Sequence, residues 1–188
     1  MFDLDDFLSR CQEARDETEP RRATREVLDR ALGTADAAAA VADAMAPTAA
    51  GFTLLHHAPD LTVLHVVWAP RMEIFPHDHR MWAAIGIYAG QEDNTFYRRA
   101  GAGARTLTAS GGKELATGDT VVLGDDTIHR VHNPRDGLTG AIHVYGGDFV
   151  AQPRSQWGPG VEEERPYDID EALGRFTEAN EAWRAGGP

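Results

Sequence analysis

Residues 76–90 read PHDHRMWAAIGIYAG, and this stretch decides the fold. Its two histidines, His77 and His79, are two positions apart, so on an extended strand both side chains project from the same face. Both imidazoles can therefore reach one metal ion. The apolar run Trp82–Tyr88 follows closely, and its isoleucine and aromatic content is typical of a buried strand.

A third histidine of the same standing lies in residues 118–133, GDTVVLGDDTIHRVHN. Gly-Asp turn signals bracket a short Val-Val-Leu strand there, and His129 follows in the next strand-like run. Alternation places His129 and Asn133 on one face of that strand and His132 on the other. Because three imidazoles form a known catalytic metal site, we predict that His77, His79 and His129 bind one ion.

From Gly51 onward the pattern is one of short strands. About ten alternating or apolar runs are separated by Pro, Gly and Asp, with no helical segment between them. This pattern predicts a mainly β fold, an antiparallel sandwich or barrel, and the strand number suits a jelly roll. We expect a hairpin turn at residues 110–112, irregular chain after Val150, and a solvated loop at the charge run 162–165.

Helical spacing flanks the strands on both sides. It predicts helices over residues 3–18, 20–33, 36–45 and 168–183. The 188 residues suit one domain with a single main core. We expect a helical segment (1–49) packed on a barrel (50–157), followed by a C-terminal loop and helix (158–188).

Composition excludes several classes of partner. Thirty acidic against eighteen basic side chains give a formal charge of -12, which repels nucleic acid and anionic membrane surfaces. The acidic start MFDLDDFLSR is unlike a secretory signal, and the apolar runs are too short to span a membrane. The single cysteine, Cys11, has no internal disulfide partner. We therefore expect a cytoplasmic protein, while its oligomeric state has no signal in the sequence.

A further polar pair lies in residues 140–147, GAIHVYGG. Alternation puts His143 and Tyr145 on one face of this strand and Ile142 and Val144 on the other. If the apolar face packs under the terminal helices, the polar pair faces the barrel interior. His143 and Tyr145 are then candidate catalytic residues, as acid, base or hydrogen-bond donor to a substrate. The alternative is a buried polar pair satisfied by its neighbours.

These histidines resemble the first motif of the cupin superfamily, G(X)5HXH(X)3-4E(X)6G. Arg71 stands at its first glycine, His77 and His79 at its histidines, Ala83 at its glutamate and Gly90 at its last glycine. The resemblance implies a cupin-type jelly-roll barrel, or double-stranded β-helix.

The second cupin motif, G(X)5PXG(X)2H(X)3N, is also similar to this chain. Gly118, His129 and Asn133 match it, while Gly124 and Asp126 replace its proline and second glycine. Together the two motifs place the likeness at roughly residues 50–157.

Loss of the motif glutamate leaves three histidines, which resembles the cysteine dioxygenase branch of cupins, the thiol dioxygenases. The resemblance implies an Fe(2+) enzyme that oxidises a small thiol to a sulfinate with O2. The strand with His143 and Tyr145 is similar to that branch's Ser-X-His-X-Tyr strand, with Ala141 at the serine. That branch also holds a substrate carboxylate with arginine, for which Arg71, Arg98 and Arg99 are candidates.

Two other functions are compatible with three histidines. Such a set also binds zinc with an open water position. The chain could then be a cupin isomerase, lyase or hydrolase that uses Zn, Mn or Ni as a Lewis acid. It could also be a non-catalytic cupin that binds a small ligand or metal.

Overall fold

The computed structural model describes residues 1–101, 103–158 and 163–186. Within these ranges, helices flank a long β region. The helices are α1 (Leu4–Arg15), α2 (Pro20–Leu32), α3 (Ala35–Ala44) and α4 (Ile169–Arg184). The strands are β1 (Gly51–Ala58), β2 (Leu61–Trp68), β3 (Glu73–Asp78), β4 (Ala83–Ala89), β5 (Gln91–Arg99), β6 (Leu107–Ala116), β7 (Thr120–Leu123), β8 (Ile128–His132), β9 (Thr139–Tyr145), β10 (Ser155–Trp157) and β11 (Glu164–Pro166).

The strands form two antiparallel sheets. One has the order β1-β2-β9-β4-β7 and the other the order β11-β10-β3-β8-β5-β6. Neighbours in the sheets are mostly far apart in the chain, as jelly-roll topology requires. The predicted mainly β jelly-roll class is confirmed. The sheets face each other as two layers and do not close into a continuous barrel.

The five-stranded sheet has an apolar core on each of its faces. Between the two sheets, Leu64, Ile85 and Ala141 pack with residues of the opposite sheet such as Ile74 and Val131. On the other face, the helical residues Phe7, Leu28 and Val41 cover Ile142 and Val144 of β9. Alternation along β9 therefore sends its aliphatic side chains to the helices and its polar ones between the sheets.

The helices begin where capping chemistry predicts. Asp3 and Asp168 accept backbone N–H bonds at the starts of α1 and α4, and Pro20 opens α2. The side chain of Asn180 on α4 bonds both backbone groups of Ala50, at 2.8 Å each, and so joins the end of the chain to the start of β1. No helix in the described ranges combines the length and the apolar character needed to cross a bilayer.

The predicted turn at residues 110–112 is wrong. β6 runs through it and pairs with β5, with Phe96 opposite Gly111 and Tyr97 opposite Ala109. Ser110 is therefore the extra residue of a β-bulge, which a Gly-Gly sequence accommodates as readily as a turn. Single-sequence turn signals do not separate these two cases.

The chain after Val150 is more regular than predicted. β10 adds to β3, with Gln156 opposite His77, and β11 pairs with β10. Glu164 of the predicted solvated loop has a side chain only 20% exposed and forms an ion pair with Arg99. Pro159 and Glu162 lie outside the described residues.

Candidate metal centre

The three predicted histidines converge between the sheets. His77 lies near the end of β3, opposite His129 on β8, and His79 directly follows the last residue of β3. All three are buried, and their ligand atoms lie within 4.8 Å of one another. The Nε2 atoms of His77 and His79 are 3.1 Å apart, and those of His129 and His79 are 3.5 Å apart. Nitrogens each ~2.1 Å from one ion have about this separation in a tetrahedral or facial arrangement.

No carboxylate joins this group in the described part of the chain. Asp78 lies between two of the histidines in sequence, but its side chain bonds Arg80 and the backbone of Ser155. His132 is outside the group as well, as strand alternation predicts. The site is therefore one of imidazoles alone.

Hydrogen bonds at Nδ1 direct Nε2 toward the centre of the group. Nδ1 of His77 lies 3.0 Å from the carbonyl oxygen of Phe75, and Nδ1 of His129 lies 2.6 Å from Oδ1 of Asn94. An oxygen at Nδ1 accepts its proton and leaves a lone pair on Nε2. These two lone pairs point into the same space, where a cation could accept both of them.

Burial keeps these imidazoles neutral. It lowers the pKa of His77 to about 4, and the pKa values of His79 and His129 are well below 6.5 because burial and the neighbouring histidines both oppose protonation. Neutral imidazole is the form that binds metals. The residues present therefore fit a metal ion without prior loss of protons near neutral pH.

The triad opens onto a small, mainly apolar cavity of about 40 Å³. Trp68 of β2 stacks on Phe176 of α4, with ring centroids 5.3 Å apart and planes at 19°. Ala172, one turn earlier on α4, lines the cavity too. The other lining residues include Phe52, Leu64, Val66, Ile74, Val131, Phe149 and Tyr167. A cavity of this size admits only a small ligand.

His143 and Tyr145 border the same cavity. Nδ1 of His143 is 3.0 Å from the hydroxyl of Tyr145, whose ring centroid is 4.9 Å from that of His79. Burial raises the pKa of Tyr145, so the phenol stays protonated. The pair is thus placed beside the metal ligands, and its catalytic role stays a prediction.

The predicted arginines do not line this cavity. Arg71 stands in a left-handed turn (φ 59) with a side chain 49% exposed and paired with Asp136. Arg98 is exposed on β5, and Arg99 pairs with Glu164. None of the three is therefore placed at the cavity, and their role as the carboxylate clamp stays a prediction.

Arg154 is a site residue that sequence reasoning missed. It is only 9% exposed, and its guanidinium carbon lies 4.1 Å from the ring centroid of Phe149 and 4.0 Å from that of Tyr167. Its Nη1 donates to the carbonyl of Phe149, while its buried Nε has no partner among the described residues. Both flanking rings line the cavity. Arg154 itself does not line it, so its positive charge stands behind these two rings. No pattern in the sequence marked it.

Glu92 and Asn94 were missed as well. Both are buried on β5, and Glu92 accepts bonds from Trp68 and Asn94 and lies 3.1 Å from Nε2 of His143. Glu92 and Asn94 are two residues apart on one strand, so strand alternation could have predicted that they share a face. Through them, His129 and His143 each have a hydrogen-bond partner on β5.

Known proteins resemble this chain in fold. No family model matches the sequence. A cupin family protein with a double-stranded β-helix from Methanocaldococcus jannaschii is 10% identical over 55% of this chain and 85% of that one, with a TM-score of 0.45. A cupin superfamily protein from Desulfitobacterium hafniense is 12% identical over 52% and 77%, with a TM-score of 0.42.

A third similar structure is a cupin 2 conserved barrel domain protein from Salinispora arenicola. It is 19% identical over 51% of this chain and 74% of that chain, with a TM-score of 0.41. At these identities the likeness concerns the fold alone, and nothing in it points to the thiol dioxygenase branch. The chain itself has two antiparallel sheets in a jelly-roll arrangement, and the buried histidine triad between them is able to bind a metal ion.

Proposed function

We propose that this protein is a mononuclear non-haem iron enzyme that oxidises a small acidic thiol to a sulfinate with O2. The observation that carries the proposal is a charge-neutral triad in a small cavity, with the buried Arg154 directly behind two aromatic rings of the cavity wall. The triad suits a cation that needs an anionic ligand, and the arginine suits an acid group on that same ligand.

The absence of negative charge in the triad favours a thiolate as a further metal ligand. Three neutral imidazoles leave both positive charges of a divalent ion uncompensated in a buried site. A thiol loses its proton on coordination and supplies one negative charge. Ferrous iron held by His77, His79 and His129 would supply the redox chemistry with dioxygen that thiol oxidation needs.

The proposed reaction balances without another co-substrate. Thiol plus O2 gives sulfinic acid, RSH + O2 → RSO2H, with two new S–O bonds and cleavage of the O–O bond. Sulfur is oxidised and O2 is reduced. No external reductant is therefore required.

Arg154 would bind the acid group of the substrate. Its guanidinium carbon lies about equally close to the rings of Phe149 and Tyr167, and its Nε is buried without a partner among the described residues. A buried donor of this kind gains a charge-assisted hydrogen bond when a carboxylate arrives. This favours thiols that carry a carboxylate close to the sulfur.

Tyr145 would make a hydrogen bond to the reacting group. Its hydroxyl is protonated and held by His143, and its ring lies against His79. Phe149 and Tyr167 exclude water around it, which strengthens each polar contact inside the cavity. The two residues thus orient and stabilise, while the aromatic walls keep the site dry.

Oxygen uptake tests the proposal. Protein loaded anaerobically with Fe(2+) is mixed with 3-mercaptopropionate, cysteine or cysteamine, and O2 loss and sulfinate are measured by electrode and mass spectrometry. We expect one O2 consumed per thiol, with cysteamine the poorest substrate because it lacks a carboxylate. A metal-dependent reaction without O2 uptake would indicate Lewis-acid chemistry, and tight binding without turnover would indicate a binding protein; either result contradicts the proposal.

A further inference from the structure

Glu92 is a carboxylate buried completely between the two sheets, with 0% exposure. Its Oε2 lies 2.8 Å from Nε1 of Trp68 and 3.1 Å from Nε2 of His143, and its Oε1 lies 3.0 Å from Nδ2 of Asn94. Burying a carboxylate without partners is costly, so these contacts must compensate it.

An ionised carboxylate can only accept hydrogen bonds. Burial opposes its ionisation, but the charge of His143 and hydrogen bonds from His143, Asn94 and Trp68 outweigh burial and lower the pKa of Glu92. Each neighbour must therefore present an N–H to it. The direction of every hydrogen bond around Glu92 follows from this single requirement.

One chain of bonds runs from Glu92 to the triad. Because Asn94 turns its NH2 group to Glu92, its oxygen faces Nδ1 of His129, 2.6 Å away. That oxygen accepts the Nδ1 proton and leaves the lone pair of His129 on Nε2, toward the other two histidines. Glu92 thereby selects the tautomer of His129 that can bind a metal.

A second chain runs to Tyr145. Nε2 of His143 donates to Glu92, so the ring is fixed with Nδ1 3.0 Å from the tyrosine hydroxyl. Glu92 thus holds two hydrogen-bonded chains, one that ends at a metal ligand and one that ends at the predicted catalytic tyrosine. Ala141 has no polar group that could share this task.

We propose that Glu92 is a positioning residue that makes His129 a competent metal ligand through Asn94 and orients Tyr145 through His143. The inference rests on the metal site of the proposed function and not on thiol oxidation.

The isosteric change Glu92→Gln tests it, because it replaces one acceptor with an NH2 donor. If the amide oxygen of the new side chain keeps the hydrogen bonds from Trp68 and His143, its NH2 group faces Asn94. The amide of Asn94 must then rotate by about 180° to present its oxygen to that NH2 group. Nδ2 of Asn94 then faces His129, and the proton of the imidazole moves to Nε2, where it blocks the metal. We expect a loss of roughly 10–100-fold in metal affinity, the usual range for partners of metal ligands.

Zn2+ affinity of the metal-free proteins is measured by competition with a chromogenic chelator. Asp93→Asn is the matched control, because it makes the same change one residue along β5 on the opposite face. It should bind Zn2+ as the wild type does. Asn94→Ala breaks the chain, so adding Glu92→Gln to it should change affinity little further, whereas independent effects would add. Equal Zn2+ affinity of wild type and Glu92→Gln, or additive losses, would overturn the inference.

A second measurement needs no variant. Histidine side-chain nitrogen NMR of the metal-free wild type should show the Nδ1–H tautomer for His129 and a protonated Nε2 for His143. An Nε2–H tautomer of His129 overturns the inference even if Glu92→Gln fails to fold. If the wild type binds no Zn2+ or Fe(2+), the proposed function is wrong together with this inference. If it binds both ions and Glu92→Gln binds them equally, only the inference is wrong.

Discussion

Both sides of the five-stranded sheet have an apolar core, but only the side toward the second sheet also holds a cluster of buried polar groups around the triad. Toward α1–α3, the face is covered by aliphatic and aromatic side chains such as Leu28, Val63 and Val144. On the side toward the second sheet, His143 of β9 meets Glu92 and Asn94 of β5 in the opposite sheet, and all three are buried near the triad. Buried polar groups cost free energy, so their concentration on one face marks where function is located. The other face contributes stability.

Removing a triad ligand should have the largest effect on the inter-sheet side. His129→Ala removes one of three ligands, so metal affinity should fall by more than the ~100-fold expected for an outer partner, and the purified variant should hold almost no metal. Metal analysis after loading and desalting measures it. His132→Ala, on the opposite face of β8, should retain metal; loss of metal in that variant would mean the strand faces are assigned wrongly.

A cavity in the helix-side core should separate stability from metal binding. Leu28 is fully buried, so Leu28→Ala should lower the free energy of unfolding by about 2–5 kcal/mol, as measured in urea. Metal affinity of the folded variant should equal that of the wild type. Leu54→Ala, at a position 45% exposed, is the control and should cost far less. A large loss of metal affinity in Leu28→Ala would break the division between the two faces.

On the inter-sheet side, Arg154 should separate substrate binding from metal binding. Arg154→Gln removes the buried positive charge, so KM for an acidic thiol should rise roughly 10–100-fold, the equivalent of one charge-assisted hydrogen bond. Steady-state O2 uptake measures it, and metal content should be unchanged. Arg71→Gln changes a surface arginine and should leave KM as it is. Equal effects on 3-mercaptopropionate and cysteamine would argue against a contact with the acid group.

The same deletion on both faces gives the smallest effects. Tyr145→Phe removes one hydrogen bond, so turnover should fall by about 10-fold with metal content retained. Tyr88→Phe removes a hydroxyl 2.6 Å from Nε2 of His65 on the helix side. It should cost about 1 kcal/mol of stability and leave turnover unchanged. An unchanged rate in Tyr145→Phe would reduce that residue to a packing role.

Strand alternation accounts for most of what the sequence could predict. It put His77 and His79 on one face and separated His129 from His132, because a period of two needs no knowledge of the partner strand. That His129 lies opposite His77 depends on the pairing of β3 with β8. It did not identify Glu92, because the role of this carboxylate depends on its hydrogen bonds to Trp68 and His143, which are far away in the chain. Arg154 was beyond reach, since its position depends on two aromatic rings contacted only in the folded chain.

The contribution of α4 to the cavity has a consequence for how reactivity and selectivity can vary. Ala172 and Phe176 are four residues apart, on one side of a single helix, and none of the histidines belongs to it. A larger or smaller side chain at these two positions would change the volume available to the substrate, while the three metal ligands stayed the same. The capacity for chemistry and the choice of molecule are therefore carried by different segments, and relatives of this chain could diverge in one without loss of the other.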